Sequence, residues 1–393
     1  MESEKDTLNT RYNKKTKKLI NSRIHYQTKL LYFFIIIFLM IIILLVYYIS
    51  NVNYKTKENY LLLLDLKNNI SQIEEKISNL EKNKNIEFNP EKINIEFDQA
   101  TNDELIKEQN YFCINQNNNL YPEFEEQIVS TKIELNNITF DLFVYKNKDV
   151  VSDNILKKKN WEPPETNNIL KALDYYSEKK NLKNEDIYIL DIGANIGWYT
   201  FFLGKYGYKI IGFEPSGINF YILKKNFCLN REVSITLINK GLFDQEKKCD
   251  YYMSVIDVGD GWVICDKKDD LPKDLKKTGE IILTRLNNYA SFLSEHNLAV
   301  IKIDAEGSEG KAFEGGNELI TKYHIPFIFL EFSPKSLIIH GTDPKEFLQM
   351  FENNGYKFSY TNFFGNDYVS IDNIISTIKG FSNIYIIYSK ILE

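Results

Sequence analysis

The sequence predicts an α/β fold, a mostly parallel, doubly wound sheet, preceded by one transmembrane helix and a helical stem. Three observations carry this. One uncharged apolar run, Leu31–Ile49, is long enough to cross the hydrocarbon core of a bilayer. From about residue 185 onward, short apolar runs alternate with helical patterns, as in parallel sheets covered on both faces. Between the first of those runs and the first helix lies Asp191-x-Gly193-x-x-x-Gly197, a glycine-bearing turn that lets a ligand approach the backbone.

The elements follow in order. A basic tail, residues 1–30, carries Lys14, Lys15, Lys17, Lys18, Arg23 and Lys29, whereas Lys55 and Lys57 beyond the apolar run are partly offset by Glu58. That bias predicts a signal anchor at 31–49, with the tail cytosolic and the rest luminal in the secretory pathway, or exofacial. Tyr32, Tyr47 and Tyr48 suit its two interfaces, and no small-residue cleavage site follows. In the stem, residues 50–105, Leu63, Leu66, Ile70, Ile73, Ile77 and Leu80 recur at spacings of three and four. Such a seam makes either a short coiled coil, hence a homo-oligomer, or a helix lying on its own domain. Polar sequence from Lys82 to about Asn110 reads as a linker. Residues 106–393 then form the catalytic domain, with a ligand-binding core at about 185–332.

The chain has 393 residues, 44% hydrophobic and 14% aromatic, enough for a sizeable core. Its net charge of −6 gives no electrostatic footprint for a nucleic-acid partner. Cys113, Cys228, Cys249 and Cys265 lack metal-ligand spacing and read as separate buried thiols. The alternative is that Cys249 and Cys265, which bracket an expected hairpin, pair in an oxidising lumen. The sequons at Asn69 and Asn137 matter only on that side of the membrane.

"IELNNITFDLFVY" predicts a small hairpin turning at Asn136-Asn137, and "PPETNNILKALDYYSEKKN" a helix opened by a proline pair. Strand "IYILDIG", helix "WYTFFLGKY", strand "KIIGFEP", helix "GINFYILKKNFCLN" and strand "SITLINKGL" come next. An irregular stretch leads to "LAVIKIDAEG", a helix, and "IPFIFLEF"; a last helix and two strands end the chain.

The glycine spacing is not G-x-G-x-x-G and leaves room for a ligand without phosphates. Glu214 closes the next strand about 20 residues beyond Gly193, where an acid grips ribose hydroxyls. Asp244 follows the third strand and can accept from an adenine amino group. The ordered set fits S-adenosylmethionine (SAM).

"LDIGANIGWYT", "GFEPSGINFYILKKNFCLN", "IKIDAEGSEGKAFEGG" and "IPFIFLEF" resemble the successive signature blocks of the FkbM family of SAM-dependent methyltransferases, and "VVSDNILKKKNWEPPETNNIL" resembles its lead-in. The resemblance spans roughly Val150 to Phe332. It implies a Rossmann-like class I methyltransferase fold and methylation of a hydroxyl on a sugar or other natural product. It further implies that Asp191, Gly193, Asn195, Gly197, Glu214 and Asp244 line the SAM pocket, and it places Asp304 and Glu306 in the K-I-D-x-E-G block. Near Asn287 the family often has an acid, so substrate choice differs here if that acid touches substrate.

Methyl transfer to a hydroxyl needs an aligned acceptor and a group that removes its proton. Asp304, at the end of the fourth strand, is the candidate base, with Glu306 beside it and Glu331 near the end of the fifth strand. Lys302 sits in an apolar run and needs an acid partner, for which Glu331 is the expectation. These carboxylates could also hold Mg²⁺. Glu309 reads as a helix-opening residue, His340 as a loop histidine or a second base, and Tyr221-x-x-x-Lys225 as an ordinary helix pattern. The sequence thus predicts a membrane-anchored O-methyltransferase acting on a glycan or small-molecule hydroxyl. The alternative from another class is an inactive methyltransferase fold serving as a membrane-tethered interaction module.

Overall fold

The computed structural model describes residues 97–114, 122–254, 258–259, 261–265, 275–365 and 367–393. The expected transmembrane helix, the heptad helix and Asn69 lie outside them. Among the described residues no helix is long and apolar enough to cross a membrane. Asn94–Glu393 form one unit in themselves.

The first helix, α1 (Gln99–Ile114), corrects the expected linker. Its pattern is polar because it docks through side-chain amides. Gln109 Nε2 donates to the Ile235 carbonyl at 3.0 Å, and the Leu237 amide donates to Gln109 Oε1 at 2.7 Å. One glutamine thus mimics a neighbouring strand and covers an open sheet edge. Cys113 bonds to Cys228, and Cys249 to Cys265, so all four cysteines are paired and the separate-thiol expectation is corrected. The partners in the first bond are 115 residues apart, a pairing no local spacing reveals.

The hairpin β1 (Ile128–Leu135) and β2 (Ile138–Tyr145) turns at Asn136 and Asn137, both at positive φ, which is the type I′ geometry that hairpin twist favours. Helices α2 (Val150–Lys158) and α3 (Pro163–Lys180) follow. Then come β3 (Tyr188–Ile192), α4 (Trp198–Lys205), β4 (Lys209–Phe213), α5 (Gly217–Leu229) and β5 (Ile235–Ile238). The stretch expected to be irregular forms a separate four-stranded sheet from β6 (Gly241–Leu242), β7 (Lys247–Ser254), β8 (Gly261–Ile264) and β9 (Leu275–Thr284), in the order β6-β9-β7-β8. After it come α6 (Asn287–Glu295), β10 (Leu298–Ile303), α7 (Glu309–Glu314), β11 (Phe327–Phe332), α8 (Pro344–Asn353), β12 (Tyr356–Ser359) and β13 (Ser382–Tyr388).

The main sheet runs β12-β13-β11-β10-β3-β4-β5. β13 is antiparallel to both its neighbours, while β11, β10, β3, β4 and β5 are parallel. Successive strand residues face opposite sides. Ile189, Ile210 and Phe329 pack with Ile169 and Leu173 of α3 and Phe201 of α4, whereas Leu190, Ile211 and Leu330 pack with Leu293 of α6 and Leu348 and Phe351 of α8. Each such burial stabilises the fold by about 1.5–3 kcal/mol. From β3 the chain winds one way through β4 and β5, then resumes on the other side of β3 with β10. The crevice at that switch point, beyond the carboxyl ends of the strands, is where ligands bind in such sheets.

Candidate active site at the sheet's switch point

The turn after β3 shapes the crevice. Gly193 (φ 73°) and Gly197 (φ 96°) are left-handed, as is Asn195 (φ 51°), one of the few non-glycine residue types that visit that region readily. A Cβ on Gly193 would lie 1.8 Å from the Asp304 carbonyl oxygen. The glycine is therefore required first by the end of β10, and the ligand is not the group a side chain there would meet. A Cβ on Gly197 would meet Leu223 and Phe201 side chains at 2.5 and 2.6 Å, so Gly197 serves helix packing and lies off the cleft.

Glu214 closes β4 with a side chain that is nearly inaccessible (4% exposed) yet lines the cleft. Its Oε2 accepts from the Asn195 amide and its Oε1 from the Ser216 amide, both at 2.8 Å. Burial pushes its pKa up to about 7, although both amides favour the charged form. The carboxylate is thus aimed by backbone, with further lone pairs open to the cleft.

Across the crevice, side chains hold one another. Lys302 Nζ donates to the Gly193 carbonyl at 2.9 Å and pairs with Asp191 Oδ1 at 3.7 Å and Asp304 Oδ2 at 3.6 Å. Burial opposes its charge, but Asp304 and Asp191 hold it above the ordinary lysine value. Its expected partner, Glu331, is not within ion-pair distance. Asp191 is 1% exposed and absent from the cleft lining: it accepts from Thr200 and steadies Lys302 from beneath. Burial raises its carboxyl, against Lys302 and Thr200. Asp244 also lies off the lining; its Oδ2 pairs with Lys311 at 3.4 Å, while its buried Oδ1 has no partner. Gly193, Asn195, Glu214, Lys302, Asp304 and Glu306 are brought together on the cleft.

Carboxylate oxygens of Asp304, Glu306 and Glu331 lie within 4.8 Å of one another. The negative charge of Asp304, with burial, drives the Glu331 carboxyl well above the usual range. A divalent cation here would face the fixed Lys302 ammonium, 3.6 Å from Asp304 Oδ2. The ammonium already offsets part of the charge of these carboxylates, so the residues fit a metal centre poorly. Glu309, 2% exposed and pushed up to about 7 by burial, accepts from the Ala305 and Gly307 amides at 2.8 and 3.1 Å. It braces the loop carrying Glu306, itself left-handed at φ 52°.

Other candidates are occupied elsewhere. His340 sets Nδ1 2.9 Å from the Ser336 carbonyl and Nε2 3.1 Å from the Val263 carbonyl, tying the β11 side to β8. Asn287 bonds to Asn317 and the Glu318 amide, away from the cleft. Tyr221 and Lys225 both grip Glu125. Sequence reasoning missed Trp161, Tyr199, Lys240, Tyr251 and Val263, which also line the cleft. Tyr251 and Val263 belong to the separate sheet, which no periodicity ties to this crevice.

With that geometry, the family comparison is specific. Residues 191–358 match the family model described as the methyltransferase FkbM domain. The matched segment takes in the glycine turn, Glu214 and the Asp304 network, but not Trp161 or Glu162. No curated protein matches this chain. Among solved structures, the crystal structure of WbdD is similar over 60% of this chain and 42% of its own, at 10% identity and TM-score 0.36. A TehB-like SAM-dependent methyltransferase from Corynebacterium glutamicum is similar over 60% of this chain and 93% of its own, at 13% identity and TM-score 0.29. M. jannaschii TYW2, in complex with AdoMet, is similar over 66% and 84% at 14% identity and TM-score 0.29.

Proposed function

We propose that this protein is a membrane-anchored, SAM-dependent O-methyltransferase acting on a hydroxyl of a glycan or glycoconjugate. The observation that carries the reading is Glu214: a buried carboxylate, held by two backbone amides, faces a glycine turn at the switch point of a parallel sheet. Two orphaned buried atoms in the same cleft, Asn195 Oδ1 and Ser308 Oγ, fit a polar ligand there. Gly193, Asn195 and Glu214 would hold the nucleoside. When bound, SAM supplies a methyl group activated on a sulfonium.

The remaining work falls to the chain's own side chains. Asp304, partly exposed at the cleft, accepts the acceptor's hydroxyl proton while Lys302 fixes its position. The Glu331 carboxyl, raised well above the usual range by the adjacent charge, stands beside Asp304. No divalent ion is needed in this scheme, so chelation should leave turnover unchanged.

Anchor, orientation and acceptor class rest on Leu31–Ile49, on the basic tail and on the cysteine pairing. Disulfides persist in oxidising compartments, which favours a luminal or exofacial domain. A luminal domain on a stem meets the substrates that glycosyltransferases meet. Asn137, exposed at the hairpin tip, is available there for glycosylation. In sealed microsomes the domain should resist protease until detergent is added; digestion without detergent would reverse the orientation. Calorimetry with SAM tests the cofactor reading. Mass spectrometry of glycans from cells with and without the protein tests the acceptor, the expected difference being the mass of one methylene.

A further inference from the structure

Glu162 differs from every other carboxylate near the cleft. It precedes Pro163 at the start of α3 in a left-handed conformation (φ 43°, ψ 61°), a strained choice for a residue other than glycine. Its side chain does not cap the helix it precedes. Instead Oε2 accepts from the Tyr199 hydroxyl at 2.6 Å. Tyr199 is 4% exposed, belongs to the helix launched by the glycine turn, and lines the cleft together with Trp161. Among the described residues nothing donates to Glu162 Oε1. Burial raises the carboxyl, while Tyr199 and the Lys302 ammonium favour its charge and Asp304 opposes it. Glu162 does not itself line the cleft, but its neighbours Trp161 and Tyr199 do, and it sits within electrostatic reach of Lys302 and Asp304.

A cofactor whose ribose lies at Glu214 carries an α-ammonium at its other end, and a desolvated ammonium requires an anion. Glu306 stands on the opposite, acceptor side with Asp304 and Glu331, and the other carboxylates are engaged. Both oxygens of Glu214 accept backbone amides on the nucleoside side. Asp191 lies beneath the lining, bound to Thr200 and Lys302. Asp304 is shared between Lys302 and Glu331. The Gly193 carbonyl on the turn already accepts from Lys302. We propose that Glu162 receives the α-ammonium of SAM on its open oxygen, with Tyr199 as the positioning residue that orients it. The assignment rests on the cofactor reading above, and it extends the binding site to a residue upstream of the matched domain.

The test uses the full chain in detergent micelles and calorimetry with two nucleosides of neutral sulfur. S-adenosylhomocysteine has the amino-acid arm; methylthioadenosine lacks it. In Glu162→Gln, affinity for S-adenosylhomocysteine should fall about 10- to 100-fold, the range for losing a charge-assisted contact, while methylthioadenosine binds as in the parent. Tyr199→Phe keeps the charge and should show the same selectivity at a smaller loss. Equal weakening of both ligands in the two variants would mean a structural brace and overturn the assignment, as would unchanged affinity in Glu162→Gln. Should Glu162→Gln not fold, by circular dichroism, the selectivity of Tyr199→Phe decides alone. A parent that binds neither nucleoside removes the cofactor reading itself, and the assignment with it.

Discussion

The two walls of the cleft are built on different principles. On the wall after β3 and β4, backbone does the positioning: Asn195 and Ser216 amides aim Glu214, and left-handed glycines set the turn. On the wall after β10 and β11, side chains position one another: Lys302 spans Gly193, Asp191 and Asp304, while carboxylate oxygens of Asp304 and Glu331 lie within 4.8 Å of each other. A backbone-held site tolerates loss of one ligand contact without rearranging. A mutually held charge network does not, because each removal leaves a partner buried and uncompensated. The cofactor wall should therefore fail in affinity alone, and the acceptor wall in turnover.

The sharpest break is Asp304→Asn, which keeps shape and removes charge. Labelled methyl transfer to the acceptor should fall roughly 10²- to 10⁴-fold, the usual worth of a general base, with SAM affinity nearly unchanged. Near-parental turnover would move the base elsewhere, with Glu306 next to test.

Replacing Cys113 and Cys228 by serine separates fold from site. The bond closes a long loop and ties α1 to α5, far from both walls, so stability should drop by about 2–4 kcal/mol in denaturant titration. SAM affinity of the folded fraction should not change; if it does, α1 reaches further into the site than its contacts with β5 indicate.

On the cofactor wall, Glu214→Ala should weaken SAM binding by about 1.5–3 kcal/mol, roughly 10- to 150-fold, in a protein that still folds. An unchanged dissociation constant would remove Glu214 from the site.

The smallest effect is on pH dependence. Glu214 and Glu309 titrate near 7 when folded, against about 4.3 for an exposed glutamate. The folded state then binds more protons between those values, so their contribution to stability is greatest below about pH 4.3 and is lost as pH rises towards 7. The thermal midpoint should decline across that window, and Glu309→Gln should flatten the decline. A slope unaltered by Glu309→Gln would mean that this carboxyl is not shifted.

The amino-acid sequence by itself determined the alternating core, the hairpin at Asn136-Asn137, the glycine turn, and Glu214 and Asp304 at strand ends. Each of these is local: period, turn chemistry and strand termini are written within a few residues. It also carried Gly193, though for a different cause, since the group that forbids a side chain there is the Asp304 carbonyl. Only the tertiary structure decided that Asp191 lies under the cleft, that Asp244 turns to Lys311, and that Lys302 pairs with Asp191 and Asp304 rather than Glu331. Nor could the sequence show that Cys113 meets Cys228, that α1 closes a sheet edge through Gln109, or that Glu162 shares a hydrogen bond with Tyr199. These are contacts between residues far apart in the chain. Ion pairs and disulfides carry no periodicity, so which acid a buried lysine chooses is settled by where the sheet brings strand ends together.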